Sequence, residues 1–80
     1  METAITTHAI RQIKKLPQDV RTAVMAAIDA LAEWPDVANV KNLKNRSDYR
    51  LRVGRYRVIF EVAENTIWIT HVVIRDDNTY

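Results

Sequence analysis

Asp48-Tyr49-Arg50-Leu51-Arg52-Val53-Gly54-Arg55-Tyr56-Arg57-Val58-Ile59-Phe60-Glu61-Val62 is the most regularly patterned segment of the chain. Tyr49, Leu51 and Val53 alternate with Arg50 and Arg52; after Gly54-Arg55, Tyr56, Val58, Phe60 and Val62 alternate with Arg57, Ile59 and Glu61. Successive residues of a strand point to opposite faces, so a period of two predicts two half-buried strands, and Gly54-Arg55 between them predicts a hairpin turn. The same alternation assigns Tyr49, Leu51, Val53, Val58 and Phe60 to a core. It sends Arg50, Arg52 and Arg57 together to the other face, a cationic surface built from two adjacent strands.

Toward the C-terminus, Ala63-Glu64-Asn65 reads as a second turn. Thr66 to about Ile74 is β-branched and apolar on both sides, which predicts a central, well-buried strand, and the polar tail Arg75 to Tyr80 reads as irregular. Toward the N-terminus the period changes to that of a helix. A loop reaches back from about Asp48 to Trp34-Pro35-Asp36, where the proline ends a helix whose face is Val20, Val24, Ala27, Ile28, Leu31 and Trp34. Pro17 closes an earlier helix built on Ala9, Ile10, Ile13 and Leu16 and opens the second one. Thr7 is the expected N-cap of the first helix, and Ala4-Ile5-Thr6 reads as a brief edge strand. The expected fold is α+β: a short N-terminal strand, then two antiparallel helices packed on one face of an antiparallel β-sheet, with Ile10, Ile13, Val24, Ile28 and Leu31 against the apolar alternates.

Eighty residues suffice for one compact domain, here 1–80, and one Gly with two Pro leaves no room for linkers. The absence of cysteine excludes disulfides and thiolate metal sites. No apolar run approaches the roughly 18 residues that cross a bilayer, and the N-terminus lacks a secretion-signal pattern, so a cytoplasmic protein without a membrane partner is expected. The net charge of +2 hides an asymmetry: Lys41 to Arg57 holds seven bases against Asp48 alone, a net of +6, so the remainder carries −4. Concentrated charge of this kind suits a polyanion or an acidic protein partner.

The hairpin resembles the middle of the RelE/ParE superfamily of toxins from type II toxin-antitoxin systems, in the RelE-like branch. The likeness extends to the helix carrying Ala9-Ile10 and Ile13-Lys14-Lys15-Leu16-Pro17, the second helix ending in Trp34-Pro35, the loop from Lys41 to Lys44 and the closing Ile74-Arg75 with Tyr80. It implies a ribosome-dependent endoribonuclease acting on messenger RNA (an mRNA interferase that stops translation), with the ribose 2′-hydroxyl attacking the adjacent phosphate and no metal or small-molecule cofactor. Under that resemblance Arg57 contacts the scissile phosphate, Arg75 stabilises the phosphate or the leaving group, and Tyr80 stacks on a base or helps to move a proton. Arg52 joins these as a catalytic candidate, and Arg50, Lys44, Lys41 and Arg55 are expected to bind RNA. Arg50 and Arg52 stand where better-known relatives have lysines. An arginine is a poor proton acceptor, so the general base is not assigned. The resemblance also implies an antitoxin partner beside the ribosome and mRNA. It leaves two alternatives: inhibition of DNA gyrase, as in the ParE branch, or a silent relic that only binds antitoxin or RNA.

Plainer readings stand beside these. Arg50 and Arg52 serve equally to solubilise a sheet face, and Tyr49 and Tyr56 run in phase with core residues. His71 lies within an apolar strand, with only His8 elsewhere in the chain, and reads as a hydrogen-bonded structural histidine. Trp68 fits core, platform or partner contact, and Glu61 fits a cross-strand pair with an arginine. No Ser-His-Asp set, phosphate loop or metal-ligand cluster is visible.

Overall fold

The computed structural model describes residues 2–42 and 48–74. Along the chain run β1 (Glu2–Ile5), α1 (Thr7–Lys14), α2 (Gln18–Ala30), a 3₁₀ turn (Leu31–Glu33), β2 (Val40–Asn42), β3 (Asp48–Val53), β4 (Tyr56–Ala63) and β5 (Thr66–Ile74). The strands form one five-stranded sheet in the order β1-β5-β4-β3-β2. β3, β4 and β5 are the expected antiparallel meander. Two features correct the expectation of a wholly antiparallel sheet preceded by a loop: β1 pairs with β5 in parallel, and the loop contains β2, antiparallel to β3. β2 is too short for its alternation to register as a period.

Gly54 turns the hairpin with φ 57, a left-handed conformation open to glycine without strain. On one face of the sheet Leu51, Val58, Phe60, Ile67, Ile69 and Val72 meet Ala9, Ile13, Val24, Ile28 and Leu31. Ile10, expected in that core, is 39% exposed instead. The inward stripe of α1 is Ala9 and Ile13, spaced i, i+4, and Ile10 lies to its side. Trp34 has left the helix but still caps the core, with its ring 4.7 Å from Tyr49 and 5.4 Å from Phe60.

β5 alternates imperfectly because it is bulged. Ile59 pairs with His71 but Phe60 with Ile69, which leaves Thr70 without a register partner and returns Val72 to the core side already occupied by Ile67 and Ile69. β1 covers this strand only as far as Ile69. Beyond it the start of α1 takes over: Thr6 N donates to Ile69 O at 3.0 Å, Thr6 Oγ1 to Thr70 O at 3.4 Å, and Val72 N donates to Gln12 Oε1 at 2.6 Å.

Thr6, rather than the expected Thr7, is the N-cap: its hydroxyl accepts from Ala9 N at 3.2 Å and Thr7 is already helical. With adjacent threonines, the cap is the one whose backbone is still extended. Thr6→Ala is expected to cost about 1 kcal/mol in urea denaturation, and Thr7→Ala clearly less. Among the described residues no helix is long and apolar enough to cross a membrane.

Candidate nucleic-acid interface

The face of the sheet opposite the helices is laid out by register. Lys41, Arg50, Ile59 and His71 form one row across β2 to β5. Arg52, Arg57 and Val73 form a second, toward the Gly54 turn, and Asp48, Glu61 and Trp68 a third at the other end. The strands therefore bring Arg50, Arg52 and Arg57 to one face, as the alternation required. Two pairs of like charge, Lys41 with Arg50 and Arg52 with Arg57, stand directly opposite each other. Like charges directly opposite each other oppose strand pairing, and here they concentrate positive charge on one face.

Depth differs sharply among these bases. Arg52 is exposed and Arg50 half-buried, whereas Arg57 is only 6% exposed, with Nε and Nη1 enclosed. This corrects the expectation of Arg57 as a surface guanidinium. β4 is the middle strand of five, and on its outer face Arg57 and Ile59 are buried between β3 and β5 while Glu61, toward the other end, is exposed. Alternation gives the face of a residue but not its depth.

Arg50 and Arg52 open onto a concavity of about 280 Å³ completed by Lys41, Val40 and Asn39. Arg52 N donates to Asn39 O at 3.0 Å, which fixes the approach to β2 against β3. Asn39 takes a left-handed φ of 63, a conformation that asparagine tolerates well. Sequence reading placed Asn39 and Val40 in a loop, and only the pairing of β2 brings them here. Three of its five lining residues, Lys41, Arg50 and Arg52, are cationic.

Arg55 is not part of this group. It sits on the Gly54 turn and lines a separate concavity of about 310 Å³ with Val20, Ala23 and Tyr56. Lys44, Arg75 and Tyr80 lie outside the described residues. Glu61 stands in register with Asp48 and Trp68 rather than with an arginine. Trp68 is 42% exposed on the basic face, which removes the core from its three readings. Tyr49 is a core residue, stacked on Phe60 at 5.4 Å. His71 is hydrogen-bonded, with Nδ1 3.1 Å from Thr70 Oγ1, but exposed, and His8 is its neighbour with ring centroids 5.0 Å apart.

Over residues 4–79 the chain matches the family described as the ParE toxin of the type II toxin-antitoxin system, parDE. Among solved structures it is similar to a chain of the RelBE2 toxin-antitoxin complex from Mycobacterium tuberculosis, with 26% identity and a TM-score of 0.80 over 92% of this chain and 96% of that one. It is similar in fold to a chain of the archaeal RelE-RelB complex from Pyrococcus horikoshii OT3, with 24% identity and a TM-score of 0.81 over 95% and 96% of the two chains. The isolated RelE toxin of E. coli has the same fold at 16% identity, with a TM-score of 0.80 over 98% of this chain and 87% of that one. A comparison with curated proteins gives no match. The family match spans nearly the whole chain and the fold agrees with it throughout, and on these grounds the chain belongs to the ParE toxin family, within the RelE/ParE superfamily of type II toxins.

Proposed function

We propose that this toxin is an endoribonuclease that cuts messenger RNA on the ribosome by attack of a ribose 2′-hydroxyl on the adjacent phosphate. The observation that carries the reading is the register that brings Lys41, Arg50, Arg52 and Arg57 to one face, the first three of them around a single concavity. A phosphodiester passing to a pentacoordinate anion gains negative charge, and fixed guanidinium groups stabilise it without being titrated. Arg57, held rigid by burial, takes the scissile phosphate, with Arg52 beside it. Arg50 and Lys41 hold the neighbouring phosphate. Arg75 acts on the leaving group and Tyr80 stacks on a base or moves a proton. Lys44 and Arg55 extend the contact along the RNA backbone, and Trp68 offers an exposed ring on which a base can stack. The partners are the ribosome with its mRNA and an antitoxin, since two of the structures similar to this one are toxin-antitoxin complexes. A toxin mixed with the protein encoded beside it that elutes as two separate species in size exclusion tells against the antitoxin.

A second reading, inhibition of DNA gyrase, is favoured by the family match, which carries the ParE description. Primer extension on translated transcripts after induction separates the two. Cuts at fixed positions within codons are expected; intact transcripts alongside broken chromosomes overturn the nuclease.

Arg52→Glu provides a second test, because it exchanges a repulsive cross-strand pair for an attractive one facing Arg57. It is expected to raise stability by roughly 0.2–1 kcal/mol while weakening RNA binding at least tenfold and flattening its salt dependence. A variant that is more stable and still binds RNA at full strength removes the functional reason for the like-charge pair.

A further inference from the structure

His8 opens α1 and His71 lies on β5, and the fold brings their imidazoles to 5.0 Å between centroids, both exposed. We propose that these two residues form a binding site for a borderline transition-metal ion of the Zn²⁺, Ni²⁺ and Cu²⁺ class, at the β5 end of the row that begins with Lys41 and Arg50.

Three observations carry it. The first is spacing: with metal–nitrogen bonds of about 2.0–2.1 Å, an imidazole centroid lies roughly 3.2 Å from the ion, so two imidazoles at square or tetrahedral angles hold their centroids about 4.5–5.3 Å apart. The observed separation falls inside that window. The second is the tautomer. Thr70 Oγ1 donates its one proton to Ile59 O at 3.3 Å, so at its 3.1 Å contact with His71 it accepts, and His71 Nδ1 carries the hydrogen. That tautomer leaves the lone pair on Nε2, with the other ring nitrogen oriented by a hydrogen bond as metal-binding histidines usually are. The third is the scaffold: Thr70 is the bulged residue of β5, and its neighbour His71 sits beside the start of α1, where Thr6 and Gln12 already tie helix to strand.

The rings meet at 71°, edge to face, so closing on one ion takes a rotation of His8 about χ2, a soft torsion, while His71 stays tethered. Among the described residues no third His, Cys, Asp or Glu completes a cluster, so water fills the remaining positions. Two neutral imidazoles favour ions from the later part of the first transition row. They offer little to Mg²⁺ or Ca²⁺, which prefer oxygen. The bound ion pins α1 to β5 just past the point where pairing with β1 ends.

The experiment titrates the untagged full chain, stripped of metal, with Ni²⁺ and then Zn²⁺ at about pH 8, read by calorimetry and by the imidazole proton resonances. One ion per chain is expected, with both histidines shifting together and no response to Mg²⁺. His8→Ala and His71→Ala should each weaken binding at least tenfold. Thr70→Val, which removes the tether but keeps both ligands, should weaken it severalfold while circular dichroism stays unchanged. Binding of equal strength in the single-histidine variants, a response of only one histidine, or no binding at millimolar metal overturns the site.

Discussion

Arg57→Lys is expected to lower mRNA cleavage about a hundredfold while leaving the urea stability within about 1 kcal/mol of wild type, and Arg57→Ala to lose cleavage and stability together. The contrast follows from depth. Arg57 is 6% exposed with two of its nitrogens enclosed, so its aliphatic stem is packed and its charge is part of the interior. Truncation to alanine opens a cavity and breaks the polar contacts of a buried charge, for which about 2–4 kcal/mol is the expected loss. Loss of toxicity in the alanine variant alone therefore proves nothing about chemistry. Lysine keeps a charge and a stem at this position but replaces the planar fork of donors with a single ammonium, which cannot grip two oxygens of one phosphate at once. Cleavage by the lysine variant at the wild-type rate would reduce Arg57 to a structural residue and leave the exposed Arg52 as the better candidate. Primer extension and urea denaturation on the same preparations make the distinction.

The face of each strand residue was legible in the sequence because alternation is strict in β3 and β4, so Arg50, Arg52 and Arg57 share a surface as their parity demands. Three kinds of information were not legible. Depth depends on how many strands flank a given one, and the flanking of β4 on both sides is a property of the whole sheet order. Short pairings such as β2 with β3, and the parallel docking of β1 on β5, depend on partners distant in sequence and carry no periodic signal of their own. The bulge at Thr70 changes the parity of β5 midway, so the pattern from Ile67 to Val73 reads as apolar on both sides when the core takes Ile67, Ile69 and Val72. Nor does any sequence spacing announce the meeting of His8 and His71. The helices were legible to within a residue at the start of each, and the misjudged Ile10 lies one position from the true inward residue Ala9.

Phe60→Ala is the second variant with a large expected effect, and it acts from the opposite side of the sheet. Phe60 is fully buried, stacked on Tyr49 at 18° between ring planes and met edge-on by Trp34. Deleting the ring costs about 3–5 kcal/mol in a typical core. At roughly 0.05–0.15 kcal/mol per residue, a chain this short has about 4–12 kcal/mol in total, so the variant should lose a large share of its stability and unfold at much lower urea. Phe60→Leu fills most of the volume and forfeits chiefly the aromatic geometry, a loss of roughly 1–2 kcal/mol. Both are best read in a Trp68→Phe background, where fluorescence reports Trp34 alone: the red shift to a solvated indole should come at much lower urea in the alanine variant and at slightly lower urea in the leucine variant. Tyr49 and Phe60 are also register partners, and the residues on either side of Tyr49 and Phe60 include Asp48, Arg50, Ile59 and Glu61 on the basic face. If Phe60→Leu lowers RNA binding by more than its stability loss explains, the aromatic stack is also holding the register that aligns the cations; if binding falls only with the folded fraction, the stack contributes stability alone.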